Sequence, residues 1–583
     1  MTRLWIRPRT FPPSSNCRCL FGDPCWPGPA EFARLEHHVS QPLLHPVPPA
    51  SPCYPVSAPS GDCADVHAQW TNASWRAERP GAMQGAVFET FVFPNGTTSA
   101  CFMDTALGVP CTQGSVPVVG VDARAIEDVQ AAVRFAAAHN LRVVVKTTGH
   151  DLLGRSTARG AFIIWTHNMK DITFHRSFTP AGAPPESETH DNAITLGAGV
   201  QWEEAYEAVN AKDRAIVGGQ SPGGTVGAAA GWVLGGGHSP LSPTFGLGVD
   251  NVLEFEMVSS NGTVFTANAH RNTDLFFALR GGGGGTYGIV TKTTYQTHPN
   301  LPLTAAVFAA SSNSSSLTAP VQSLLLNLLK ALPQLSDDGW SGVTSLSTDP
   351  TTGTLGSSGT FVLVNGTSAQ ANASINPFFS KAEALSNASD GGLTVQAAFT
   401  TPLPSYFAFL NAFATPDTAG SNGAAGSWLL PRDVIERHPE RVARTLAPLQ
   451  SLTILLVAGG AVARVPPAAM GLLPAWRSAL VHALFATGWA EGTPADVIAG
   501  RVDEVRRNMT ALRALAPHSG AYLNEASPFS PAFFGDHHTE LRAIKAVYDP
   551  IDLFVVRDGI GSNEWDSELV CKLPNLKMSA SAR

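Results

Sequence analysis

The chain has 583 residues, 14% of them charged, and a formal net charge of −8. That length allows more than one domain and a large core. The charge balance offers no basic face for nucleic acid and no charged tail. An apolar stretch at 452–463 contains glycines and falls short of the roughly 20 residues of a membrane-spanning helix, so neither nucleic acid nor membrane is expected as a partner.

Residues 1–112 are rich in Pro and Cys and read as a disulfide-stapled extension looping over the domain that follows. Cys17, Cys19, Cys25, Cys53, Cys63, Cys101 and Cys111 fall here, and Cys571 lies alone near the C-terminus. An even number of cysteines permits full pairing, and Cys571 is expected to join one of the early group. Cys17-Arg18-Cys19 is too tight for a zinc ribbon, and no metal is expected. Sequons begin at Asn72, Asn95, Asn261, Asn313, Asn365, Asn372, Asn387 and Asn508. Together with paired cysteines they favour an oxidising, secretory compartment. Residues 1–15 carry Arg3, Arg7 and Arg9 and no apolar signal-peptide stretch, so the native start is expected upstream.

Asp122 is placed to cap a helix with Ile126, Val129, Val133 and Ala137 on one face. Strands are predicted at 141–145, 161–165 and 193–196, and a short helix near 202–210. Asn261-Gly262, between the apolar runs 252–259 and 263–265, signals a hairpin with a type I′ turn. Between 143 and 172 a β-branched run gives way to Lys146-Thr147-Thr148-Gly149-His150-Asp151, then Gly154-Arg155-Ser156, then a second apolar run. Strand, glycine-bearing loop, strand is the reading. Freed backbone N–H groups beside Lys146 and Arg155 suit a diphosphate. Glycines recur at Gly219, Gly224, Gly227, Gly231 and Gly236, around Thr225, Val226 and His238, where backbone can approach a flat or phosphorylated ligand closely. Gly283, Gly285 and Gly288 make a formal G-x-G-x-x-G, but the flanking order is helix then strand, the reverse of a dinucleotide fingerprint.

The 143–172 stretch, K-x-x-G-H-D with W-T-H-N following, resembles the signature of the vanillyl-alcohol oxidase and berberine-bridge-enzyme-like flavoproteins. The resemblance is strong over 113–298 and good over 516–566. Cys17-Arg18-Cys19 and Asp23-Pro24-Cys25-Trp26-Pro27 resemble the N-terminal arm of secreted fungal members, including isoamyl-alcohol-oxidase-like ones. The fold this implies is α+β: a PCMH-type, two-subdomain FAD-binding domain at 113–298, a second α+β domain at 299–515 carrying the substrate wall, and a C-terminal element at 516–583 returning to the FAD domain. By the same resemblance FAD is the cofactor, joined covalently through His150. Lys146, Thr147, Thr148, Gly149, Asp151, Gly154, Arg155 and Ser156 surround it. Gly219 to His238 lie along the flavin and pyrophosphate, and Gly288 and Val290 lie by the adenine half. Some members bond flavin C6 through a cysteine in the glycine-rich region. None lies between Cys111 and Cys571, so a single link is expected.

The chemistry such a resemblance implies is hydride transfer to flavin N5 with removal of a proton from the donor. Candidate catalytic residues are Tyr522, Asn524 and Glu525. If 522–524 is a strand, Tyr522 and Asn524 share one face and Glu525 the other, which favours the first two. The family's N-Y-x-D here reads Asn524-Glu525-Ala526-Ser527, which puts its usual tyrosine base in doubt. The donor is a small molecule such as an alcohol, with O2 as reoxidant. An oxidative tailoring enzyme or cyclase of a fungal secondary-metabolite pathway and a non-catalytic secreted flavoglycoprotein are the alternatives. From 299 to 515 few motifs stand out: 311–316 and 348–358 read as loops, and 324–332 and 466–485 have helical apolar spacing.

Overall fold

The computed structural model describes residues 16–574 except 188, 314–318, 349–353, 414–417, 450 and 527–530. The expectation for 1–15 lies outside the described residues, as do 314–316 and 349–353 of the two expected loops; the loop reading fails at their edges, where Ser311 and Thr348 end strands and Leu355–Val364 is a strand. β1 (Val119–Asp122), α1 (Ile126–Ala138), β2 (Val143–Lys146) and β3 (Phe162–Trp165) form the first unit, with β3 central and parallel to both neighbours. A strand covered on both faces is apolar throughout, and all four residues of β3 are buried. α1 buries Val129, Ala132, Val133 and Ala136 against this sheet. Its cap differs from the one expected. Asp128, inside the first turn, accepts the N–H groups of Arg124 and Ala125. Asp122 ends β1 and instead binds Arg124 and Asn168.

A five-stranded antiparallel sheet follows, built from β4 (Ile172–Phe178), β5 (His190–Gly197), β6 (Val252–Val258), β7 (Val264–Asn268) and β8 (Ile289–Gln296). β6 and β7 form the expected hairpin with a different turn. Gly262 N–H bonds to the Ser259 carbonyl, Ser259 N–H to the Thr263 carbonyl, and only Gly262 has positive φ, at 77°. That is a three-residue loop with glycine at the left-handed position rather than a two-residue type I′ turn.

The seven-stranded antiparallel sheet spans 303–489, and helices Ala319–Asp337, Ser368–Ala388 and Ala495–Leu515 pack on it. The spacing at 324–332 does mark a helix, which buries Leu324, Leu325, Leu328, Leu329 and Leu332. The helix expected over 466–485 is absent. Pro467–Ala469 and Pro474–Arg477 are short 3-10 turns, and Ala479–Trp489 is a strand. Pro474 falls inside the span, where it lacks the helical N–H and crowds the preceding turn, and an inner strand buried on both faces lacks the alternation that would identify it. The C-terminal element contributes the helix His538–Tyr548, which ends before Pro550.

All eight cysteines are paired: Cys17–Cys571, Cys19–Cys25, Cys53–Cys63 and Cys101–Cys111. The first ties the N-terminal extension to the C-terminal element across 554 residues. Cys571→Ser is expected to cost on the order of 4 kcal/mol, since the closed loop is long. A denaturant midpoint equal to wild type would contradict this. Asn95, Asn261, Asn313, Asn365, Asn372 and Asn387 are exposed, whereas the Asn72 side chain caps the helix Ala73–Ala77. Among the described residues no helix is long and apolar enough to cross a membrane.

Acid sensitivity follows from His298, stacked on Phe245 and bonded to Asn251. Burial, helped by Arg214, pulls its pKa to about 4. It is therefore neutral in the fold but protonates near 6.5 when unfolded. Its stabilising share is full above that value and is lost as the pH falls towards 4. The thermal midpoint of wild type should fall over this window more steeply than that of His298→Gln.

Candidate active site

Where β2 ends, Gly149 takes φ 84°, and a Cβ there would sit 3.1 Å from the Met83 Cα. Only glycine makes this bend easily, and it delivers His150. Asp151 then staples the loop: its carboxylate accepts the N–H groups of Leu153, Arg155 and Ser156 and pairs with the Arg155 guanidinium at 2.9 Å. His150 Nε2 lies 2.6 Å from the Thr225 hydroxyl. Burial pulls the imidazole pKa to about 4, so the ring is neutral. In the tautomer that donates Nε2–H to Thr225, Nδ1 keeps its lone pair.

Lys146 does not behave as a phosphate ligand. Its ammonium is buried and donates to the carbonyls of Arg79, Pro80 and Ala82, clamping the N-terminal extension under the loop. Burial, opposed by Glu89 and aided by Arg76, brings its pKa to about 7. Lys146→Met should destabilise the fold by about 2–3 kcal/mol, because buried carbonyls lose their donor. Chromophore content per folded molecule should not change; its loss from stable, folded protein would return Lys146 to a ligand role.

A cavity of about 580 Å³ runs past this loop. Thr147 to Asp151, Arg155, Ser156, Val226, Gly227 and Gly231 line it, as do Gly288 and Val290. Leu455 and Leu484 from the seven-stranded sheet reach it, as do Tyr522, Asn524, Glu525 and His238. The 522–525 segment is a turn, not a strand: Glu525 N–H bonds to the Tyr522 carbonyl at 3.0 Å. Alternation therefore does not apply, and all three side chains share the cavity, correcting the two-face expectation. Gly235 lets the turn approach, since a Cβ there would lie 2.4 Å from Asn524 Oδ1. Asn524 is fully engaged. It donates to the Trp232 carbonyl (3.0 Å) and the Tyr522 hydroxyl (2.8 Å), and Arg155 reaches its oxygen at 3.4 Å.

The Tyr522 oxygen also accepts Gly237 N–H at 3.2 Å. Burial first and Glu525 second push its pKa far above the ordinary value, so it is a phenol with a proton to donate. Glu525 meets His238 Nε2 at 3.0 Å and His482 Nδ1 at 3.5 Å. Burial favours its neutral form, but His238, by charge and hydrogen bond, and His482 outweigh this and lower the pKa. The carboxylate, not the phenol, is the basic group of the chamber.

A family model described as FAD binding domain matches residues 117–268. An uncharacterized FAD-linked oxidoreductase of Arthroderma benhamiae is 35% identical, covering 96% of this chain and 96% of its own length. The chain belongs to the FAD-linked oxidoreductases. FAD-linked oxidoreductase ZEB1 of Gibberella zeae is 34% identical, covering 95% of the chain and 94% of that protein. Among solved structures, the VAO-type flavoprotein MtVAO713 of Myceliophthora thermophila C1 has a TM-score of 0.84 at 28% identity, over 96% of this chain and all of that one. Glucooligosaccharide oxidase of Acremonium strictum shares the fold, with a TM-score of 0.59 at 18% identity, over 76% of this chain and 91% of that one.

The residues of this FAD-linked oxidoreductase fit the cofactor. The cavity is lined by glycine backbone at Gly227, Gly231 and Gly288 and by the neutral His150. Lys146, Gly154, Gly219, Gly224, Thr225 and Gly236 stand behind this lining. A Cβ at Gly154 would strike Phe88, at Gly219 Trp232, at Gly224 Glu203 and at Gly236 Leu472, while Thr225 acts through His150. Sequence reasoning missed His482, in the strand Ala479–Trp489, and Trp476, whose ring packs edge-on to Tyr522 at 5.4 Å. The available signal for His482 was one ionisable residue inside the apolar run 479–485.

Proposed function

We propose that this FAD-linked oxidoreductase takes hydride from a small organic donor such as an alcohol, with FAD attached covalently through His150 and O2 as reoxidant. The observation that carries the reading is one cavity lined by a neutral, linkable histidine and by an ionised carboxylate beside a phenol. FAD, when bound, supplies the hydride acceptor at N5. Glu525 accepts the donor's hydroxyl proton, concerted with hydride loss because its carboxyl is a weak base. Tyr522 donates a hydrogen bond to the donor oxygen, and Asn524 holds Tyr522 in place. The single link accords with the pairing of every cysteine, which leaves no thiol to bond the flavin. The glucooligosaccharide oxidase is described as carrying both 6-S-cysteinyl and 8α-N1-histidyl bonds, and only the histidyl kind is proposed here. The disulfides and exposed sequons support a secreted glycoprotein.

The test is anaerobic mixing of the holoprotein with a library of alcohols and amines. At least one donor should bleach the flavin absorbance, and admitting O2 should restore it with release of hydrogen peroxide. No bleaching by any donor, together with photoreduced protein that O2 does not reoxidise, would favour a flavoprotein without turnover.

A further inference from the structure

His482 is fully buried in the strand Ala479–Trp489, yet neither ring nitrogen has a hydrogen-bond partner among the described residues. A buried imidazole without partners is uncommon and calls for an explanation. Nδ1 lies 3.5 Å from Glu525 Oε2, outside good hydrogen-bond geometry, and the other carboxylate oxygen lies 3.0 Å from His238 Nε2. One ligand atom from each of the three residues falls within 4.8 Å of the others. Atoms bound tetrahedrally at 2.0–2.1 Å from a common ion are about 3.4 Å apart, so small side-chain adjustments suffice.

We propose that His238, His482 and Glu525 form a binding site for a divalent transition ion of the zinc class on the wall of the donor chamber. Two imidazoles and one carboxylate are a borderline-soft set that suits zinc and disfavours calcium or magnesium, which take oxygen ligands. Three protein ligands leave one coordination position, and His238 and Glu525 both line the cavity. The other groupings of ligating residues among those described use Cys53 with Cys63, or Cys19 with Cys25. Both pairs are disulfides and have no thiolate to offer. An ion here takes the lone pairs of Glu525, so it competes with the donor. Binding itself does not rest on the turnover proposed above; only the inhibition does.

Chelator-stripped holoprotein is titrated with zinc chloride by calorimetry, without donor. One ion per chain with micromolar affinity is expected. Glu525→Gln, close in shape and able to keep the fold, and His238→Ala should each weaken binding by about 100-fold or more, since even outer partners of metal ligands are worth 10- to 100-fold. Flavin absorbance and circular dichroism report whether each variant is folded. Cobalt(II) should give visible bands beyond the flavin's own absorption in wild type and none in Glu525→Gln. No binding up to about 1 mM zinc, or binding that both variants leave unchanged, overturns the site. Binding without inhibition of a turned-over donor would keep the site and count instead against Glu525 as the base.

Discussion

Glu525→Gln is expected to slow anaerobic flavin reduction by a turned-over donor by roughly 10²- to 10⁴-fold, the usual worth of a positioned general base. The substitution is nearly isosteric and keeps an oxygen to face His238, so flavin content should not change. The reason to choose Glu525 over Tyr522 is electrostatic. The phenol is buried next to a carboxylate, and both raise its pKa. Burial raises the pKa of the carboxyl, but His238 and His482 beside it together outweigh this and lower it. Tyr522→Phe therefore removes a hydrogen-bond donor and should cost less, about tenfold. If Glu525→Gln reduces flavin at the wild-type rate while Tyr522→Phe does not, the roles assigned to the two residues are exchanged.

His150→Ala is expected to abolish acid-stable flavin. Wild-type protein precipitated with acid should stay yellow, and its flavin-bearing peptide should contain His150. Thr225 orients the ring through the 2.6 Å contact to Nε2. Thr225→Val should therefore slow attachment without removing the nucleophile. His150→Ala should also lose stability, because a ligand bound only to the native state stabilises it and a dissociable one does so only in proportion to its concentration. Recovery of covalent flavin in His150→Ala would place the link elsewhere. No cysteine could carry it without first breaking a disulfide.

What could be read from the chain were the features that local chemistry dictates. The β-branched run Val143-Val144-Val145, the glycine before His150 and the polar loop after it make a strand–loop–strand unit. The leucine spacing at 324–332 can bury its stripe only as a helix, and eight cysteines in a Pro-rich setting imply pairing. Tertiary structure decided which side chains meet. Lys146 reads as a phosphate ligand by neighbourhood, but the extension supplies carbonyls at Arg79, Pro80 and Ala82 that its ammonium binds. Tyr522, Asn524 and Glu525 sort onto two faces only if their segment is extended. It is a turn, and Gly235, nearly 290 residues earlier, makes the room for it. His482 belongs to a strand whose apolar run looked helical, because an inner strand buried on both faces carries no alternation. Its place beside Glu525 comes from the pairing of that strand with Leu452–Leu456 and Asn422–Pro431. Local sequence sets dihedral preferences and burial patterns, whereas a catalytic constellation drawn from residues 150, 238, 482 and 525 exists only after sheets distant in the chain have packed.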